Sequence, residues 1–214
     1  MPVLVKICGT TSPTDARLAH EAGADFLGVI LNHPPSPRHV AREVAHDIRL
    51  ATSTPIVVLT VNQPLETLLQ IGADFSPRAL QLHGDETPEL VEELVKSGLQ
   101  VWKAVSGDTN AVFTAAEKFR AAGAEAILVD ARETSSDGIV YGGTGHLADW
   151  NAARHLVDEG YRVILAGGLT PENVGRAVAA VQPWSVDVVS GVEARKGLKD
   201  VTKLREFASR AKSL

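Results

Sequence analysis

Three tryptophans, two tyrosines, five phenylalanines, one methionine and one cysteine are all that 214 residues carry of these types. A single cysteine excludes an internal disulfide and a cysteine-built metal cluster, and it suits a reducing cytoplasm. No H-x-x-x-H pair or Cys/His cluster offers metal-ligand spacing, so no metal is expected. No apolar run approaches the roughly 18–20 residues needed to cross a bilayer. The N-terminal Met1-Pro2-Val3-Leu4-Val5-Lys6 lacks the basic start and apolar stretch of a signal peptide, so a cytoplasmic protein is expected. There is no basic excess: 21 Lys and Arg stand against 26 Asp and Glu, a formal charge of −5. That balance argues against general nucleic-acid or membrane-surface binding, while leaving a small anion site open. Linkers and low-complexity segments are also missing, and one domain over 1–214 is the reading.

What is present is a recurring phrase of helix, glycine and short apolar strand. It occurs at Gly23, Gly72 and Gly123, and more loosely at Gly98 and Gly160. Each glycine stands where a helix ends and the chain turns back with positive φ. Strands are expected at Val3–Cys8, Phe26–Leu31, Ile56–Thr60, Ala79–Leu82, Val101–Ala104, Ile127–Asp130, Val163–Ala166 and Val186–Val189. Helical stretches lie at Thr14–Ala22, Val40–Ala51, Pro64–Ile71, Pro88–Lys96, Val112–Ala121, Asp149–Asp158, Pro171–Val181 and Val201–Ala211. Eight βα units predict an α/β fold, a single (β/α)₈ TIM barrel. An open doubly wound sheet is the rival, but no G-x-G-x-x-G follows the first strand.

Two consecutive junctions near the C-terminus end in glycine: Ala166-Gly167-Gly168-Leu169-Thr170-Pro171 and Val189-Ser190-Gly191-Val192. Glycine admits close approach to the backbone, and N–H groups at a helix start attract anions. Thr170 reads as a cap and Pro171 as the first helical residue. Side by side, these turns favour a phosphate site after strands 7 and 8, although either alone could be an ordinary connection.

Barrel chemistry gathers where strands end. Cys8 closes strand 1 and is either a small buried hydrophobe or a reactive thiolate. Asp130 closes strand 6, as a loop cap or a catalytic carboxyl. His83 ends strand 4 in Gln81-Leu82-His83-Gly84-Asp85 and is a candidate substrate contact. Arg38 follows Pro34-Pro35-Ser36-Pro37, a stiff loop that would hold its fork ready for a carboxylate. Gly142-Gly143-Thr144-Gly145 is a glycine-rich loop that by itself says little.

Taken in order, Lys6-Ile7-Cys8-Gly9, Ser36-Pro37-Arg38, Gln81–Asp85, Gly142–Gly145, Ala166–Asn173 and Ser190-Gly191-Val192-Glu193 resemble the phosphoribosylanthranilate isomerase family of tryptophan biosynthesis. The resemblance runs over essentially the whole chain. It implies that Cys8 is a general base, Asp130 a general acid and Arg38 a contact for an anthranilate carboxylate. The turns at Gly143, Gly168 and Ser190-Gly191 would cradle the phosphate of a phosphosugar substrate. The implied reaction is a cofactor-free Amadori rearrangement, and association with other tryptophan-pathway enzymes fits it. Val189, Ala148 and Tyr141 depart from the family pattern, as does the strand Gly28-Val29-Ile30-Leu31. Another phosphosugar-processing barrel enzyme, or a non-catalytic phosphosugar-binding barrel, stands as the alternative.

A thiol must lose its proton to act as base and an aspartate must hold one to act as acid. The site is therefore expected to lower the Cys8 pKa. Lys6 lies two residues before Cys8 on the same strand face, and barrel closure would set Asp187 beside it. Either Lys6 is buried and paired with Asp187, favouring the thiolate, or it leans out to solvent.

Overall fold

Apolar β-runs pair in parallel and close on themselves, so that no sheet edge is left. The computed structural model describes residues 2–130, 133–135, 138–140 and 149–213. Its barrel strands are β1 (Leu4–Ile7), β2 (Phe26–Ile30), β3 (Ile56–Thr60), β4 (Ala79–Leu82), β5 (Val101–Val105), β6 (Ala126–Val129), β7 (Val163–Leu165) and β8 (Ser185–Val188). Around the closed barrel they run β1-β8-β7-β6-β5-β4-β3-β2. The helices are α1 (Pro13–Glu21), α2 (Arg42–Leu50), α3 (Leu65–Phe75), α4 (Pro88–Lys96), α5 (Thr109–Ala121), α6 (Trp150–Asp158), α7 (Val174–Val181) and α8 (Val201–Lys212). Every strand expected from the sequence is found, with ends shifted by no more than a residue or so.

Strand alternation divides the core in two. On β4, Leu80 and Leu82 face outward into the layer shared with the helices. Ala79 faces inward, against Val57, Trp102, Leu128 and Ile164. Burying each large apolar side chain contributes about 1.5–3 kcal/mol, which sets the dominant stabilising term. At the strand starts Phe26, Trp102 and Trp184 pack edge to face or tilted, with ring centroids 5.2–5.7 Å apart. The Trp102 indole N–H donates to Glu125 at 2.9 Å, so the plug is apolar inside and polar at its rim. The barrel is filled at that end, and its open end is where the strands finish.

Side-chain caps start several helices: Ser12 accepts from Asp15 N, Asp108 from Ala111 N, Asp149 from Asn151 N, and Asp200 from Thr202 N. Gly23, Gly98, Gly123 and Gly160 take the expected positive φ after their helices. Gly72 does not. It lies inside α3, and the left-handed cap is Ser76, at φ 42°. A Cβ on Gly72 would stand 2.7 Å from Leu99 Cδ2, so this glycine serves packing rather than the turn. The expected start of α7 is also displaced. The helix begins at Val174, because the Thr170 N–H bonds to the Asn173 side chain and the Glu172 N–H to Thr170 Oγ1 within a turn.

Two antiparallel pairs escaped the sequence reading. Glu133–Ser135 pairs with Gly138–Val140, and Glu193–Arg195 pairs with Leu198–Lys199. The second hairpin follows β8 and bends over the open end of the barrel. Among the described residues, no helix is long and apolar enough to cross a membrane.

Candidate active site

The ends of β1, β4, β6 and β8 and the loop after β2 meet around one cavity of about 490 Å³. Cys8, Arg38, His83, Asp130, Gly168 and Ser190 all line it, so the strand-end residues singled out in the sequence come together. Gly191 lies one step further, in an adjoining hollow that shares Gly168, Leu169 and Ser190. Gly143, with the rest of 142–145 and with Tyr141 and Ala148, lies outside the described residues.

Cys8 is buried, its N–H bonded to Val188 O at 2.9 Å. Its side chain packs with Ile30, Leu59 and Val61, with Val189 alongside. One layer below, Lys6 is fully buried and its ammonium stands 3.0 Å from Asp187 Oδ1. β1 and β8 are paired with Lys6 opposite Asp187, as the topology required. Burial by itself would lower the Lys6 pKa, but the Asp187 carboxylate and the adjacent Cys8 offset this and the net shift is upward. For Cys8 the balance differs from the expectation. Burial pushes the thiol upward, and the Lys6 ammonium pulls it down without cancelling that push. Burial of the sulfur therefore outweighs its cation.

Gly28, on β2, faces the sulfur. A Cβ there would overlap Cys8 Sγ and approach Cys8 Cα to 3.0 Å. The glycine in this strand thus makes room for the thiol. Gly28→Ala is expected to displace Sγ and slow iodoacetamide labelling of Cys8 severalfold. Labelling at the wild-type rate would show that the strand pair absorbs the methyl group.

Asp130 and His83 form a second group across the barrel. His83 Nε2 lies 3.2 Å from Asp130 Oδ2, and Gln81 Nε2 lies 2.9 Å from His83 Nδ1. The Asp130 N–H is fixed by Val105 O at 3.1 Å, which holds the carboxyl at the strand end.

Arg38 is buried, and its Nε and Nη2 bind Glu193 at 2.7 and 2.8 Å. This bidentate pair spends two of the five guanidinium donors on the protein itself. The hairpin after β8 supplies Glu193 and also Lys199, whose ammonium donates to Cys8 O at 2.6 Å and Val189 O at 3.2 Å. Glu193 and Lys199 were not identified as site residues in the sequence, because their role depends on a hairpin folding back over β1. Gln81 was quoted there without a role, although its i, i+2 spacing to His83 was a usable signal.

Gly167 and Gly168 take φ of 78° and 62°. Asn173 clamps this turn, accepting from Thr170 N at 2.8 Å and donating to Gly168 O at 2.9 Å. Gly191 presses against the same turn, for a Cβ there would overlap Leu169 O and stand 3.0 Å from its carbonyl carbon. Lys203 completes the hollow with its ammonium 2.9 Å from Glu193 O. Two glycine turns and a cation can hold an anion here.

A model of the N-(5'phosphoribosyl)anthranilate (PRA) isomerase family matches residues 5–210. A relative from Geobacter metallireducens, named N-(5'-phosphoribosyl)anthranilate isomerase, is 43% identical over 217 residues, covering 99% of this chain and 100% of the relative. One of the same name from Trichlorobacter lovleyi is 41% identical over 98% of each chain. Among solved structures, phosphoribosyl anthranilate isomerase from Thermotoga maritima superposes with a TM-score of 0.86 at 35% identity, covering 99% of this chain and all of that one. Another phosphoribosyl anthranilate isomerase, in complex with reduced 1-(o-carboxyphenylamino)-1-deoxyribulose 5-phosphate, gives 0.82 at 32% identity over 99% of this chain and 100% of its own. With a barrel that closes at one end and gathers a thiol, a carboxyl and two glycine turns at the other, this chain belongs to the N-(5'-phosphoribosyl)anthranilate isomerase family.

Proposed function

We propose that the protein isomerises N-(5'-phosphoribosyl)anthranilate to 1-(2-carboxyphenylamino)-1-deoxyribulose 5-phosphate, a step of tryptophan biosynthesis. The observation that carries this reading is the placement of Cys8 and Asp130 on strands well apart around one cavity, with the glycine turns beside them. An aldose-to-ketose shift needs a proton delivered at one side of the sugar and another removed at the other. Asp130 gives its proton to the furanose ring oxygen, the C1′–O bond breaks, and the anilino nitrogen supplies electrons to form an iminium. The Cys8 thiolate then takes the C2′ proton, and the C–H electron pair moves to neutralise the iminium as an enolamine. Tautomerisation to the ketone completes an internal redox exchange between C1′ and C2′. In this reading His83 lines the sugar's path, and Arg38 faces the anthranilate carboxylate with the donors that Glu193 leaves.

The phosphate falls between Gly168 and Ser190-Gly191. Gly191→Val is expected to push these turns apart and raise KM by about 10–100-fold, the loss of one charge-assisted hydrogen bond of about 1.5–3 kcal/mol. A KM within twofold of wild type would place the phosphate elsewhere. The activity itself is tested by mixing enzyme with phosphoribosylanthranilate and following the loss of anthranilate fluorescence. No acceleration over the uncatalysed background would sink the isomerase reading and leave a phosphosugar-binding barrel.

A further inference from the structure

Gln81 is fully buried inside the barrel, on the inward face of β4, just before His83. An amide in such a place is costly unless both its ends are hydrogen-bonded. Only one is: Nε2 meets His83 Nδ1 at 2.9 Å, while Oε1 has no hydrogen-bond partner among the described residues. A side chain kept at that cost, with its single contact aimed at a histidine bound to the proton-donating carboxyl, belongs to the chemistry rather than to packing.

The chemistry follows from donor and acceptor roles. An amide nitrogen only donates, so the Nδ1 that faces it must present a lone pair. In a neutral imidazole the proton then sits on Nε2, and Nε2 donates to Asp130 Oδ2 at 3.2 Å. A second proton on Nδ1 would set N–H against N–H. We propose that Gln81 is a positioning residue that holds His83 as the neutral imidazole protonated on Nε2, resting on the isomerase reading for the role of Asp130. Two consequences bear on the acid. Oδ2 is engaged by the His83 N–H, so Oδ1 is the oxygen that carries the proton to the sugar ring. An imidazolium in the same place would hold Asp130 as a bare carboxylate, unable to act as acid. Once Oδ1 has delivered its proton, the Nε2–H bond stabilises the carboxylate that remains.

Among the described residues, the other ionisable groups around this pair are Cys8 with Lys6 below it on β1, His33 and Arg38 after β2, Asp187 on β8, Lys196 on the hairpin, and Lys103 on β5, which is paired with Glu86 and bonded to Leu82 O and Gly84 O. His33 carries a lowered pKa, from burial first and from the neighbouring His39 and His83 next. Its ring signals are told apart from those of His83 by residue-specific assignment.

The test uses ¹⁵N-labelled histidine in the whole protein without substrate. Wild-type His83 should show a protonated Nε2 and an unprotonated Nδ1 in its neutral form. Gln81→Glu replaces the donor with a carboxylate that accepts from Nδ1–H, so an imidazolium or the opposite tautomer should appear. Gln81→Met, of similar length and apolar, removes the donor without adding a charge and should leave a mixture of tautomers. Both variants should lose about 10–100-fold in kcat, part of the ~10²–10⁴-fold a general acid contributes, with KM changed less than threefold. Thermal melts establish that each variant is folded, and at least Gln81→Met is expected to be. A wild-type His83 protonated on Nδ1 would overturn the proposal, as would variants with an unchanged ring spectrum or unchanged kcat. The spectra are read without turnover, so they stand even if the wild-type assay rejects the isomerase reading.

Discussion

Cys8→Ala and Asp130→Asn are each expected to remove about 10²–10⁴-fold from kcat, while the barrel keeps its fold. The two losses arise at different steps. Without the thiolate, the C2′ proton loses the base that faces it, and among the described residues the side chains clustered with Cys8 are the apolar Ile30, Leu59, Val61 and Val189. The Lys6 ammonium below is committed to Asp187 and cannot accept a proton while charged. Asp130→Asn keeps an oxygen to accept from His83 Nε2, so its geometry survives and only the acidic proton is lost. Steady-state kinetics on the folded variants check both, and a variant retaining near-native turnover would void the role assigned to its residue. Cys8→Ser should lie close to the alanine variant, because a hydroxyl is far harder to ionise than a thiol in the same apolar surroundings.

Lys6→Met is expected to act on stability and chemistry together. The Lys6–Asp187 pair is buried on both sides, so removing the ammonium leaves a carboxylate with little solvent. Breaking one partner of such a pair costs about 3–5 kcal/mol. The Lys6 pKa in the folded protein lies above its ordinary 10.5. A raised lysine pKa gives stability that is fully present below the unfolded value and is lost as pH rises through the folded one. The deficit of the variant should therefore be undiminished across the neutral range, and denaturant melts measure it. On the chemistry, Cys8 is already raised by burial, with Lys6 the main opposing influence and Asp187 adding to the rise. Loss of Lys6 moves the thiol further up, so the alkaline rise of kcat/KM shifts to higher pH and iodoacetamide labelling near pH 7 slows. Combining Lys6→Met with Asp187→Leu removes both charges and should recover much of the stability without restoring the thiolate. A Lys6→Met protein with an unchanged labelling profile would show that the ammonium has no hand in activating Cys8.

Burial and charge oppose one another at Cys8. Val189 packs with the apolar group around the sulfur and adds to the burial that pushes the thiol upward. Lys199 ties the Cys8 carbonyl to the hairpin and is itself lowered by burial, although Glu193 opposes that shift. The thiol is thus held between two lysines: Lys6 acts through the field at the sulfur, and Lys199 adds a smaller field and holds the backbone carbonyl of Cys8.

The sequence by itself determined the barrel and the candidates at its mouth. Apolar runs such as Ile56–Thr60 and Ala79–Leu82 are strands in either environment, because both their faces are buried. Glycines 23, 98, 123 and 160 mark turns that local sterics impose. Strand parity placed Lys6 beneath Cys8, and closure placed Asp187 beside it, since period and topology are fixed by the chain alone. What tertiary structure decided depends on contacts between distant segments. Gly72 looked like its sister glycines, but Leu99 packs over it and α3 continues to Phe75. Thr170 looked like a cap, but the Asn173 side chain takes its N–H and the helix starts later. Arg38 looked free for a ligand, yet Glu193, 155 residues away, holds two of its donors. The net direction of the Cys8 shift was likewise a tertiary outcome. Sequence showed the cation that would lower it, but only the packed barrel shows how little water reaches the sulfur, and burial weighs more than the charge.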